Sequence, residues 1–226
     1  MIKTSVKIRD AASLVLYRRG TQGIEVLMGR RHRNHIFMPH RLVFPGGAVD
    51  AEDRSVKPAT PLRPEIEERL CRGVTRVRAR ALAAAAIRET WEETGLRVAA
   101  PFKVTPESWP ESWKCFYDAG VGPDFGVLDY FFRAVTPPGK VRRFDARFFL
   151  APAERAQGEI RSNGELIDID WYDITAVKGR PDVHGITALV LNEAEDVLDD
   201  PALLKQRGVR YSRHVRGKRV IVSEEV

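Results

Sequence analysis

Only two cysteines, Cys71 and Cys115, occur in the 226 residues. They lie far apart, with no Cys-x-x-Cys and no Cys/His pairing at zinc-ligand spacing, which excludes a disulfide framework and a zinc knuckle. No stretch approaches 18 consecutive apolar residues, so no transmembrane helix and no membrane partner are expected. The first residues, MIKTSVKIRDAASLVLYRR, hold no uninterrupted apolar run followed by a small-residue cleavage site and do not read as a secretory leader. Internal repeats and low-complexity tracts are also missing, and no linker is long enough to force a second domain. These absences together point to a protein of the reducing cytosol, folded as one domain over 1–226.

What is present is the material of a globular core. Hydrophobic residues make up 43% and charged residues 30%, close to ordinary soluble proteins. The formal net charge of +6 and a pI near 9.5 favour an anionic partner, whether nucleotide, phosphorylated cofactor or nucleic acid, without choosing among them. The arginines are spread along the chain, with a mild concentration over 207–219. That basic terminus carries no RNA-binding motif, so a charged edge strand is expected there and nucleic acid is not the expected partner.

Short aliphatic runs at 12–18 (ASLVLYR) and 24–30 (IEVLMGR) flank RGTQG, which predicts an antiparallel hairpin. A third extended segment, 42–44, runs into Pro45-Gly46-Gly47, where the strand must turn. Pro64 can open a helix that stops near Gly73; Thr75 can cap an alanine-rich helix that ends at Gly95. Strands are expected at 127–135, 146–150, 166–171, 209–215 and 219–222, and a helix from about 185 to 198. Without a strict strand–helix–strand rhythm, the pattern predicts an α/β protein with a mixed sheet flanked by helices.

The chemistry concentrates in RETWEETGL, residues 88–96. Glu89, Glu92 and Glu93 are spaced i, i+3, i+4, so a helix projects them from one side. Like charges at that spacing repel by a few tenths of a kcal/mol per pair, roughly, so helix stability alone gives no reason for them. Asp50 and Asp53 follow the Gly46-Gly47 turn, and a folded-back loop could bring them to the same side. Clustered carboxylates suit a hard divalent cation, Mg²⁺ or Mn²⁺, that completes its coordination with water and substrate phosphate.

Together the two segments resemble the Nudix box, G-x5-E-x7-R-E-U-x-E-E-x-G-U, where U is aliphatic. Gly47 supplies the first glycine, Asp53 stands where the first glutamate is expected, and Arg88 to Leu96 supply the second half. Asp53 is one methylene short, Thr90 is not aliphatic, and residues 54–87 replace the short spacer. The two helices inferred there could fold out and back as a hairpin. FPGGAVDAED, TPPGKVRRFDARFFLA and HGITALVLNEAEDVL are similar to a branch of the family that includes coenzyme A diphosphatases with a long insertion inside the box.

The resemblance implies an α/β/α Nudix sandwich with a helical insertion at about 54–87, and hydrolysis of a nucleoside diphosphate linked to another moiety. Coenzyme A or an acyl derivative is the first expectation for this small-molecule diphosphate; nucleotide sugars, dinucleotides and NAD(H)-like compounds stay open. Metal ligation is expected from Glu89, Glu92, Glu93 and Asp53, with the Gly47 backbone close by. Arg88 is expected to fix a carboxylate by a bidentate pair. Glu165 is the candidate general base, with Asp168 behind it and Glu92 or Glu93 as alternatives inside the box. Arg142, Arg143 and Arg147 are candidates for substrate contact, although alternating basic and apolar residues also describe a half-exposed strand.

The remaining features read more plainly. His32, His35 and His40 match no zinc spacing, and Trp109, Trp113 and Trp171 read as packing residues. Two rival functions are a Nudix-like module that senses a nucleotide without hydrolysing it and a decapping-type hydrolase directed at RNA. A homodimer is compatible with the sequence.

Overall fold

The computed structural model describes residues 6–33, 39–103 and 109–224. His35 lies outside the described residues. Strands β1 (Ile8–Arg19) and β2 (Ile24–Arg31) form the expected antiparallel hairpin, closed by Gly20 N–H donating to Gly23 O at 2.7 Å. Two short strands continue from it. β3 (Leu42–Val43) pairs with β2, and β4 (Gly46–Ala48) folds back onto β1 in the register Ala11–Ala48, Ala12–Gly47, Ser13–Gly46.

The later strands are β5 (Arg97–Pro101), β6 (Val121–Pro123), β7 (Asp129–Val135), β8 (Arg143–Pro152), β9 (Ala156–Gln157), β10 (Leu166–Asp173), β11 (Arg210–Val215) and β12 (Lys218–Ser223). The main sheet runs in the order β10-β2-β1-β8-β7-β11-β12, with β3 and β4 on its β2 and β1 members. It is mixed: β1 pairs with β8 and β7 with β11 in parallel, while the other contacts are antiparallel. A small second sheet, β6-β5-β9, stands apart.

Among the described residues the α-helices are α1 (Pro64–Cys71), α2 (Arg76–Thr94), α3 (Lys114–Tyr117), α4 (Ile174–Val177), α5 (Gly185–Asp199) and α6 (Leu203–Gln206). The period-two geometry of β1 sends neighbouring side chains to opposite faces. Leu14 and Leu16 pack with Ile66 of α1 and Leu82 and Ala86 of α2, whereas Val15 packs with Val190 and Leu191 of α5. Buried cores on both faces make an α/β/α sandwich. None of the described helices is long and apolar enough to cross a membrane.

Helix α2 begins and ends where its sequence dictates. The Thr75 hydroxyl accepts from Arg78 N–H at 3.4 Å, and Gly95 takes the left-handed conformation (φ 75°) that a helix C-terminus favours. Ala79 and the run Ala83–Ala86 are buried, and such small side chains let the helix lie close to its neighbours on several sides. Residues 54–87 are therefore no detached appendage. Their first helix, α1, packs into the same core as α2, and residues 76–87 are the opening turns of α2 itself.

Candidate active site

Backbone at the β4 turn sets the floor of the site. Gly46 has φ 155°, and a Cβ there would overlap Ser13 Oγ and Ala12 O. Its N–H is thereby turned to donate to Glu93 Oε2 at 2.8 Å. Next to it, a Cβ on Gly47 would overlap the Glu89 carboxylate carbon and lie 2.5 Å from both oxygens. The two glycines let two glutamates of α2 lie directly on the strand, a close approach that any side chain would block.

Arg88 organises the remaining carboxylates. Its Nε and Nη2 donate to Asp53 Oδ1 and Oδ2 at 2.9 and 3.0 Å, a bidentate pair. Nη1 donates to Glu89 Oε1 at 2.8 Å and Glu92 Oε2 at 2.9 Å, and Nη2 also reaches Ala48 O at 3.1 Å. The side chains of Arg88 and Asp53 are 3% and 0% exposed. Asp53 sits in a short 3-10 turn, Glu52–Arg54, where its Oδ2 also accepts from Asp50 N–H at 2.8 Å.

Asp53, expected among the metal ligands, stands here as the partner of Arg88. Both of its oxygens are engaged and it has no exposed surface, so it anchors Arg88. The segment from Asp50 to Arg88 is thereby closed by one buried ion pair, and Arg88 in turn aims Glu89 and Glu92. Arg88 is the carboxylate-fixing group that the sequence suggested.

The charges do not balance. Burial raises the Glu93 carboxyl to about 8, with the Glu89 charge adding to it and Gly46 N–H and Arg31 offsetting part. Burial likewise lifts Glu89 to about 7 against the pull of Arg88. Glu92, at 39% the most exposed of the three, is raised in the same sense for the same first reason. The Arg88 guanidinium is held above its ordinary value, because Asp53 and the neighbouring charges outweigh the penalty of its burial. Arg88 thus serves Asp53, Glu89 and Glu92, with Asp50 at 3.8 Å, while Glu93 has the Gly46 N–H and the more remote charge of Arg31. A buried carboxylate cluster short of positive charge accommodates a divalent cation well.

Glu89, Glu92 and Glu93 are the residues that would hold such an ion: hard oxygen donors on one side of one helix. With Glu89 and Glu92 drawn to Arg88 and Glu93 to Gly46, no three His, Cys, Asp or Glu side chains form a ready-made cage among the described residues. Loading an ion therefore requires carboxylate oxygens to turn from protein donors to the cation.

Other candidates fall into two groups. Glu165 immediately precedes β10, its carbonyl accepting from His32 N–H at 3.0 Å, and its charge acts on Glu93. Asp168, two residues into β10, pairs instead with Arg30 at 3.3 Å. Arg147 is buried on the sheet, 2% exposed, and ion-paired to Asp145 at 2.9 Å and Asp10 at 3.6 Å. These ion pairs give it a structural role on the sheet. Arg142 is exposed and Arg143 donates to Thr136 O at 3.2 Å; neither is bonded to the carboxylate cluster.

Some participants had no sequence signal. The Gly46 N–H to Glu93 contact and the seat of Glu89 on Gly47 join segments more than 40 residues apart, and only tertiary structure shows them. Trp113 is fully buried and Trp109 stacks on Tyr117 with ring centroids 3.6 Å apart, in line with packing roles. Trp171 lies under the Arg18 guanidinium, 4.4 Å from its ring centroid.

Comparison with known proteins gives a consistent result. A family model described as the NUDIX domain matches residues 7–190. Among solved structures, the NUDIX hydrolase from Alicyclobacillus acidocaldarius is 28% identical, with a TM-score of 0.65 over 86% of this chain and 96% of that one. The MutT protein from Methanosarcina mazei Go1 is 15% identical, with a TM-score of 0.49 over 86% and 97% of the two chains. The NUDIX domain of Shewanella oneidensis NrtR, determined with ADP ribose, is 14% identical, with a TM-score of 0.49 over 88% and 93%. No curated protein matches the chain.

Proposed function

The chain belongs to the NUDIX family of diphosphohydrolases, and from that premise we propose that it cleaves the diphosphate of coenzyme A or an acyl derivative, using Mg²⁺ or Mn²⁺ held by Glu89, Glu92 and Glu93. The observation that carries the metal assignment is the cluster itself: three glutamates on one side of α2, two of them seated against glycine backbone and raised to about 7 and 8 by burial. The substrate rests on the resemblance of FPGGAVDAED and TPPGKVRRFDARFFLA to the coenzyme A branch. Arg142, exposed in the turn before β8, is a cation within that second phrase, and Arg143 stands beside it; both are offered as contacts for substrate phosphate.

A divalent cation in this position supplies neutralisation of the diphosphate and a lowered pKa for the attacking water. The chain's own groups do the rest. Arg88, locked to Asp53, keeps Glu89 and Glu92 at a fixed place on α2. Glu165 takes a proton from the water as its oxygen forms a bond to phosphorus, while the bond from that phosphorus to the bridging oxygen breaks. The leaving phosphate carries away the electron pair. Two phosphorylated products result.

The test is a substrate panel of coenzyme A, acetyl-coenzyme A, a nucleotide sugar, a diadenosine polyphosphate and NADH, each with Mg²⁺ and with Mn²⁺, reading phosphorylated products by chromatography. Turnover of coenzyme A above the others supports the assignment. Faster turnover of another member would replace coenzyme A and keep the hydrolase. A nucleotide-sensing module is the second reading, favoured by the hold of Arg88 and Gly46 on the carboxylates; binding of a panel member without turnover would select it.

A further inference from the structure

The loop that ends at Glu165 is fastened to the end of α2 by contacts that metal ligation does not require. Residues 158–165 wrap the C-terminus of the helix. A Cβ on Gly158 would come within 2.5 Å of Gly95 O, and a Cβ on Gly95 would overlap Arg161 Cγ and come within 2.6 Å of Glu159 O. Gly95 therefore ends the helix and also provides the seat on which this loop lies. Arg161 N–H donates to Thr94 O at 2.9 Å, satisfying one of the carbonyls a helix C-terminus leaves open.

The Arg161 guanidinium then lies 4.6 Å from the ring centroid of Trp91. Among the described residues it makes no ion pair, so the indole is its chief partner. Trp91 is held from its other contacts by Arg97, 4.8 Å from the same centroid, and by an edge contact to Phe116 at 6.2 Å. Trp91 follows Glu89 by two residues, which on a helix places it about 200° round from that glutamate. The loop thus runs from the Trp91 flank, over Thr94 and Gly95, to the flank where Glu165 acts on Glu93.

Within the loop the remaining hydrogen bonds are local, apart from Glu165 O, which accepts from His32 N–H at 3.0 Å and ties the end of the loop to the residue that follows β2. Ser162 Oγ donates to Leu166 O and accepts from Gly164 N–H at 2.9 Å, and Glu165 N–H donates to Asn163 Oδ1 at 2.8 Å. These bonds stiffen the loop but do not tie it to α2. Register relative to the helix is set by the Gly95 seat, Arg161 N–H and the Arg161–Trp91 stack.

We propose that Arg161 stacked on Trp91 is a latch that positions Glu165 for proton transfer, coupling the candidate base to the helix that carries the metal-binding glutamates. The proposal rests on Glu165 as the base. Arg161 is a positioning residue and touches no substrate. Loss of a cation–π contact of this kind changes the ratio of latched to unlatched loop by about three- to tenfold.

The test is a double-mutant cycle with Arg161→Ala and Glu165→Gln, measured with Mg²⁺ on the fastest-turned-over member of the panel above, together with amide hydrogen exchange of residues 159–165. Arg161→Ala is expected to lower kcat, by up to about tenfold, with Mg²⁺ affinity unchanged, and to have no further effect in the Glu165→Gln background. Exchange at Arg161 and Glu165 should quicken, and Trp91→Phe, which keeps an aromatic face, should retain most of the wild-type kcat. Additive losses, or an unchanged kcat in Arg161→Ala alongside a large loss in Glu165→Gln, would overturn the latch. Full activity of Glu165→Gln would overturn the base assignment instead, and unchanged exchange in Arg161→Ala would overturn the latch independently of activity.

Discussion

Replacing Asp53 by Asn separates the two roles that this residue could have. In the structure Asp53 is an anchor: both oxygens accept from Arg88, and the two side chains are 0% and 3% exposed. Asn is nearly isosteric and retains one acceptor, but it removes the countercharge from a buried guanidinium. Breaking one partner of a buried pair typically costs about 3–5 kcal/mol, and the retained acceptor places this case near the lower end. For a chain of this size each kcal/mol moves Tm by about 2–4 °C, so Asp53→Asn should lower Tm by about 10 °C. Differential scanning calorimetry without metal reads this directly, and a Mg²⁺ titration of the folded variant reads the other role. The structure predicts a large loss of stability and a much smaller loss of Mg²⁺ affinity, arising from the loosened aim of Glu89 and Glu92. An unchanged Tm with abolished Mg²⁺ binding would refute the anchor and restore Asp53 as a ligand.

Gly47→Ala forces the Glu89 carboxylate off the strand; since misplacement by about 1 Å can cost 10²-fold, turnover should fall by about that factor with the circular dichroism spectrum retained. Burial raises Glu89 and Glu93 to about 7 and about 8, above the ordinary carboxylate value, so between about pH 4.5 and 8 the folded state holds more protons than the unfolded one. Metal-free stability should therefore fall as pH rises through that window. Because a cation competes with those protons, the rise in Tm produced by Mg²⁺ should be larger at pH 8 than at pH 6, and an equal or reversed shift would contradict the cluster's electrostatics. Arg147→Met should lower stability, by about 3 kcal/mol at most because Asp145 keeps Arg133 and Asp10 keeps Arg78, and should leave KM unchanged; a raised KM in a stable variant would reinstate substrate contact.

Elements whose limits are set by neighbouring residues were legible in the sequence. Thr75 and Gly95 bracket α2 because capping is local chemistry, and RGTQG closes the β1–β2 hairpin for the same reason. Glycine-rich FPGG and the i, i+3, i+4 glutamates marked two segments that the structure brings into contact. Partner choice was not legible. No local pattern shows that Arg88 takes both oxygens of Asp53, and Arg147 reads as half-exposed until the parallel pairing of β1 with β8 sets it beside Ala12 on a covered face. The three-residue strand β4 and the short second sheet are too brief to carry a periodicity of their own. Trp91 and Arg161 are joined only by the path of the loop over Gly95.

The central claim is that the glutamates of α2 hold the divalent cation on which hydrolysis depends. Its most direct measurement is a Mn²⁺ titration, followed by the paramagnetic resonance of free Mn²⁺, on the wild-type protein and on Glu92→Gln and Glu93→Gln, with turnover of the best panel substrate recorded on the same samples. The prediction is Mn²⁺ binding and metal-dependent product formation in the wild type, and loss of both in the folded variants. Wild-type affinity and full turnover in Glu93→Gln would contradict it.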